Sequence, residues 1–165
     1  MKSTLFSLIL ATTLTGCTWF ENLKPKEIFY CKVNGEEFRP DKDTSPVGGI
    51  GSDPLKVQFI KDDSLLVIDV RNNPKFIGFN IKMANGFIKK GDFALRNTLK
   101  ESNGFFTSDR NATQVEYYNS TNGTFTITKI DGYNLSGTFE FSCKNAKTGK
   151  EYKITEGEFN NISYY

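Results

Sequence analysis

Apolar side chains in this chain recur at every second residue, and that period constrains the fold more than any other feature. Over residues 77–83, Ile77, Phe79, Ile81 and Met83 alternate with Gly78, Asn80 and Lys82. Successive side chains of an extended strand point to opposite faces, so such a segment buries one face and leaves the other to solvent. Fifteen Phe and seven Tyr, many of them alternating with Thr, Ser, Lys or Asn, carry the same signal through the chain. No amphipathic helical stretch stands against it.

The pattern predicts strands over residues 28–33 and 36–39, joined by Asn34-Gly35, a pair suited to a tight hairpin turn because both residues tolerate positive φ. Residues 40–54 shift to Asp, Ser, Pro and Gly and read as a loop. The glycines at 48, 49 and 51 form no dinucleotide fingerprint. Further strands are expected over residues 55–60, 64–71, 75–83, 93–96 and 113–118, with turn composition over 97–110 around Phe105-Phe106. The last third predicts three longer strands over 123–130, 135–144 and 151–162. There the spacing of Phe125, Ile127 and Ile130 breaks strict alternation, which predicts a bulge near Thr128-Lys129. About nine or ten short strands with polar turns imply an all-β fold, an antiparallel β-sandwich or a small closed barrel.

The first sixteen residues follow a different logic. Lys2, an apolar run over residues 5–14, and the small residues Thr15 and Gly16 have the layout of a secretory signal, and the run is too short to cross a bilayer as a helix. The sequence Leu14-Thr15-Gly16-Cys17 resembles the bacterial lipobox. The resemblance implies cleavage before Cys17, a diacylglyceryl group on its sulfur, and a chain held on a membrane without a transmembrane helix. One acyl chain binds only marginally, whereas two or three make a durable anchor. Thr18 stands where an aspartate would favour inner-membrane retention, so the outer membrane is the expected destination. Residues 1–16 are then the signal, 17–27 the lipidated N-terminus and tether, and 28–165 a single β domain. Trp19 and Phe20 in the tether suit either the headgroup level or a contact with the domain.

Removing the signal leaves 149 residues with 20 basic and 19 acidic side chains, enough for one domain and without a basic field to attract nucleic acid. Histidine is absent, which excludes every mechanism with a histidine base and every metal site with a histidine ligand. Two cysteines remain besides Cys17. Alternation places Cys31 on the face of Phe29 and Val33, and Cys143 on that of Phe139 and Phe141, so both point to the core. They form either a disulfide, as an oxidising envelope permits, or two separate buried thiols.

The opening Phe29-Tyr-Cys-Lys-Val-Asn-Gly35 and the closing Thr126-Ile-Thr-Lys-Ile-Asp131, Leu135-Ser-Gly-Thr-Phe-Glu-Phe141 and Ile154-Thr-Glu-Gly-Glu-Phe159 resemble a family of small Gram-negative envelope lipoproteins that carry no assigned reaction. The resemblance spans most of the mature domain and is specific at its two ends. It implies an all-β lipoprotein and transfers no catalytic residue.

Chemistry leaves few traces. Glycoside hydrolysis needs two carboxylates facing one sugar, for which Glu140 with Glu156 or Glu158 are candidates, although strand-surface glutamates are usually solvated. Asp62-Asp63 and Asp41-Lys42-Asp43 offer oxygen ligands but lack a regular calcium loop, and read better as turn acids. No serine has a visible base. The doublets Phe105-Phe106, Tyr117-Tyr118 and Tyr164-Tyr165 put adjacent rings on opposite faces, so one of each pair could be exposed to bind a partner, while the plainer reading covers both. The expected function is a lipid-anchored, non-enzymatic module that binds an envelope protein, a glycan or a small apolar ligand, with no cofactor or metal. The alternatives are a carbohydrate-active enzyme using carboxylates alone, a lipocalin-like carrier, or a purely structural component. A cavity lined by Phe79, Ile81 and Phe139 would favour the carrier, and a filled interior with an exposed aromatic strip would favour surface binding.

Overall fold

Where the alternation is strongest the chain forms strands, and the computed structural model describes them within residues 26–42, 53–98 and 101–165. The opening hairpin joins β1 (Phe29–Val33) to β2 (Glu36–Phe38) through Asn34 and Gly35, at φ 51° and 87°. There follow β3 (Leu55–Ile60), β4 (Leu65–Asn72), β5 (Lys75–Lys82), β6 (Gly91–Ala94), β7 (Asn103–Thr107), β8 (Tyr118–Asp131), β9 (Asn134–Lys144) and β10 (Glu151–Ser163). All pair antiparallel in one sheet of order β2-β1-β10-β9-β8-β7-β5-β4-β3, with β6 beside β8. The sheet curls into a half-barrel.

Its two edges are drawn toward each other. Near one end, Phe59 N–H donates to the Tyr165 carbonyl at 2.9 Å, linking β3 to the chain beyond β10. At the other, Asp41 N–H donates to the Arg71 carbonyl at 2.8 Å, and Lys75 bridges Glu36 at 3.1 Å. Bulges bend the long strands. The register of β8 against β9 shifts between Ile127 and Lys129, where the broken alternation predicts it. β10 shifts at Glu156 and Asn161, both at positive φ, so it can wrap the sheet while still alternating.

Two local expectations fail. Residues 103–107 are not a turn but a strand inside the sheet, paired with β5 on one side and β8 on the other. Their Ser, Asn, Gly and Asp neighbours give a turn composition, but partners on both sides satisfy the backbone and override it. Conversely, residues 113–117 form no strand, and β8 begins only at Tyr118. The β7 register explains this, because β7 meets β8 only through Phe105 and Phe106, opposite Asn119 and Tyr118, and ends one residue later at Thr107, so residues 113–116 have no partner in β7.

The concave face is filled. Phe79 is fully buried, with its ring centroid 5.1 Å from that of Phe125, 4.9 Å from Phe139 and 5.7 Å from Phe141. Phe125 stacks on Phe159 at 4.9 Å, and Ile68, Ile77, Ile81 and Leu66 complete the layer. Such offset and edge-on arrangements are favoured by the ring quadrupoles. Cys31 and Cys143 face this core as free thiols, so the disulfide that the sequence allowed is not formed. β10 lies between them: Cys143 is opposite Tyr152, whereas Cys31 lies between residues opposite Glu158 and Thr155. Two strand spacings of about 4.8 Å, plus several residues of offset at about 3.3 Å each, exceed the reach of a disulfide, whose Cα atoms lie within about 7 Å.

Candidate functional site

The convex face carries the arrangement of greatest chemical interest. Cross-strand register sets Lys56, Asp69, Gly78 and Phe105 side by side on β3, β4, β5 and β7. Because Gly78 has no side chain, the Phe105 ring lies across it, between Phe76 at 5.7 Å and Tyr117 at 5.9 Å. Arg110, from the loop after β7, places its guanidinium 4.7 Å from the Phe76 ring centre. The result is a strip of three rings ending in a cation.

Beside this strip a cleft of about 540 Å³ opens, lined by Lys56, Asp69, Arg71, Phe76 and Arg110 together with Asp41 and the turn at Asn73-Pro74. Its walls are fixed by polar contacts. Arg71 meets Asp41 at 3.6 Å, and the Asn73 N–H donates to the Asp41 carboxylate at 3.0 Å. Asn111 donates through its side chain to Asn73 at 2.7 Å, and Arg110 N–H donates to the Pro74 carbonyl at 2.8 Å. The floor differs. Asp69 is half-buried, and among the described residues no donor stands within hydrogen-bond distance of its carboxylate. Burial raises its pKa above the ordinary carboxylate value, while the fields of Arg110 and Lys56 oppose the rise. The site therefore presents an unpaired carboxyl flanked by two cations, able to meet a ligand that offers both a donor and an anionic group.

The aromatic doublets divide as alternation requires. Phe106 and Tyr118 are fully buried, and the Tyr118 hydroxyl donates to Glu116 at 2.6 Å. Burial, and then that contact, pushes Tyr118 up to about 12. Phe105 and Tyr117 face outward, Tyr117 being exposed. In the third doublet, Tyr164 packs on Phe59 and Tyr133, and Tyr165 is exposed.

No family model matches the chain, nor does any curated protein or solved structure.

The remaining candidates scatter. Glu140 and Glu156 do line one surface depression with Asp92, but both are exposed and Glu156 is held by Lys32 at 2.8 Å. Glu158 lies opposite Thr138, on the same strand as Glu156. Asp62 and Asp63 occupy the exposed turn between β3 and β4, while Asp43 and Cys17 lie outside the described residues. Among the described residues, no group of three or more acidic or thiol side chains is arranged to hold a metal ion. Sequence reasoning did not single out Asp69, Lys56 or Arg110. Asp69 had a signal, an acid within the β-branched run Val67-Ile68-Asp69-Val70, whereas Arg110 had none, because only the folded loop brings it over Phe76.

Proposed function

We propose that this protein is a lipid-anchored, non-enzymatic binding module of the bacterial envelope, held at the outer membrane by acyl chains on Cys17, whose convex cleft takes a polar, charge-bearing ligand, best matched by an acidic glycan. The observation that carries this reading is the unpaired Asp69 between Lys56 and Arg110, beside the Phe76, Phe105 and Tyr117 strip. Carboxylates and guanidinium groups recognise hydroxyls and anions, and aromatic area adds affinity with little entropy to lose. The interior around Phe79 is packed with rings, which favours a surface site over a carrier of small apolar ligands. The contacts of Tyr165 with β3 and of Asp41 with β4 favour a barrel closed at its edges over a sandwich.

A carboxylate-only glycosidase is less well supported. Its best pair, Glu140 and Glu156, is solvent-exposed and shared with Lys32 rather than enclosed in a cleft. Two experiments test the proposal. Metabolic lipid labelling of the wild type and the Cys17→Ala variant checks the anchor, and uptake of label by the variant would overturn it. Titration of the labelled protein with an N-acetylmuramic acid disaccharide, followed by NMR, checks the site. Shifts confined to the neighbourhood of Asp69, Lys56 and Arg110, and abolished by Arg110→Ala, are expected. No shift with this acidic glycan would reject the ligand class.

A further inference from the structure

We propose that the end of the barrel opposite the cleft rests on the lipid bilayer, with Ile60, Phe87, Tyr133 and Tyr165 seated at its headgroup level; this rests on the lipid-anchor reading above. Among the described residues six large apolar side chains are exposed; these four lie in or beside the turns and the last residues at one end, whereas Tyr117 precedes β8 at the other end and Ile28 precedes β1. Contacts draw the four together. Tyr164 N–H donates to the Tyr133 carbonyl at 3.0 Å, Phe59 N–H to the Tyr165 carbonyl, and Met83 N–H to the Ser64 carbonyl at 2.7 Å, so three turns and the last residues converge. A side chain added at Gly86, next to Phe87, would lie 3.8 Å from the Lys61 carbonyl. Tyr133 and Tyr165 present apolar rings tipped by a hydroxyl, the chemistry that favours the boundary between acyl chains and water, and Ile60 and Phe87 add apolar area beside them.

The entry of the chain supplies the occupant. Asn160 donates from its backbone to the Ile28 carbonyl at 2.9 Å and from its side chain to the Glu27 carbonyl at 2.8 Å. β1 runs antiparallel to β10, so the chain preceding β1 points toward the end at which β10 finishes, the end that carries Tyr165. From Cys17 to Lys26 the chain advances nine residues, which extended fully span at most about 30 Å. A lipid at Cys17 thus keeps this end within reach of the bilayer. Lys61, Lys89, Lys90 and Lys129 lie there with Asp62, Asp63 and Asp131, Lys129 meeting Asp131 at 3.1 Å, a mixture of signs that makes the contact interfacial rather than purely electrostatic. In this orientation the cleft, built from the turn after β4 and the loop after β7, faces away from the membrane.

Hydroxyl-radical footprinting of the acylated protein on phosphatidylethanolamine–phosphatidylglycerol vesicles, compared with the Cys17→Ala chain in solution, tests this. Labelling of Phe87, Tyr133 and Tyr165 is expected to fall several-fold, with Tyr117 unchanged. Combined Phe87→Ser, Tyr133→Ser and Tyr165→Ser substitutions, all at exposed positions, are expected to abolish protection of Ile60 while leaving the acyl mass in place. Intact mass separates the two ideas. An acyl mass on Cys17 with unprotected Tyr133 overturns only the seated end, whereas no acyl mass overturns the anchor and this inference with it.

Discussion

Phe105 lies directly across β5 and β7 from Gly78, and its ring fills the space that a side chain at 78 would need, a Cβ there falling 2.5 Å from ring atom Cε1. The same pairing recurs on the concave face of the half-barrel, where Phe159 covers Gly137 and Phe139 covers Gly157, each directly cross-strand. Glycine lets a ring lie flat on the sheet, and the ring restores the packing that glycine lacks. On the convex face this arrangement holds the aromatic strip beside the cleft.

Gly78→Ala is therefore expected to displace Phe105 from between Phe76 and Tyr117 and to destabilise the protein by about 1–3 kcal/mol, the usual range for overpacking. Urea unfolding checks the magnitude. Combining it with Phe105→Ala is expected to cost less than the sum of the two changes, because the two residues share one space.

Phe79 stands at the centre of the concave layer, touching three other rings and fully buried. Phe79→Ala is expected to cost about 3–5 kcal/mol, since the surrounding rings are fixed on the paired strands β8 and β9 and cannot collapse fully into the void. Calorimetric or denaturant melting reads this, and a loss below 1 kcal/mol would show that the interior is loosely packed.

Burial pushes both core thiols up from 9.0 to about 12, with a backbone contact from Tyr152 opposing the rise at Cys143. A raised pKa means that the unfolded chain loses these protons first, so their contribution to stability is complete below pH 9 and is lost as pH rises toward 12. Within that window each thiol is expected to lower stability by about 1.4 kcal/mol per pH unit. The Cys31→Ala, Cys143→Ala double variant should fall less steeply there in denaturant melts. Thiol titration should find both groups unreactive in the folded protein and both reactive after unfolding without reductant.

Asp69 is raised by the same cause, and the sign is the same: its contribution is present below the ordinary carboxylate pKa of 3.8 and is lost as pH climbs through the higher folded value. Asp69→Asn, which stays neutral, is expected to be more stable than the wild type at pH 7 and to lose that advantage in acid. Melting across pH checks it. The same substitution should weaken glycan binding, separating the role of Asp69 in the site from its effect on the fold.

Much of the fold was legible locally. The hairpin at Asn34-Gly35, the alternation from Ile77 to Ile81, the bulge after Ile127 and the three long closing strands were all readable because each depends on neighbours in sequence. Residues 103–107 were not, because their strand character comes from β5 and β8 on either side rather than from their own composition.

The sequence by itself determined that the chain builds antiparallel strands with one buried face, since side-chain alternation is a covalent property of an extended backbone. Only the tertiary structure decided that the ten strands curl into one half-barrel, that β10 keeps Cys31 and Cys143 apart, and that Lys56, Asp69 and Arg110 meet at one cleft. Those outcomes depend on register and curvature between residues distant in sequence, which no local pattern encodes.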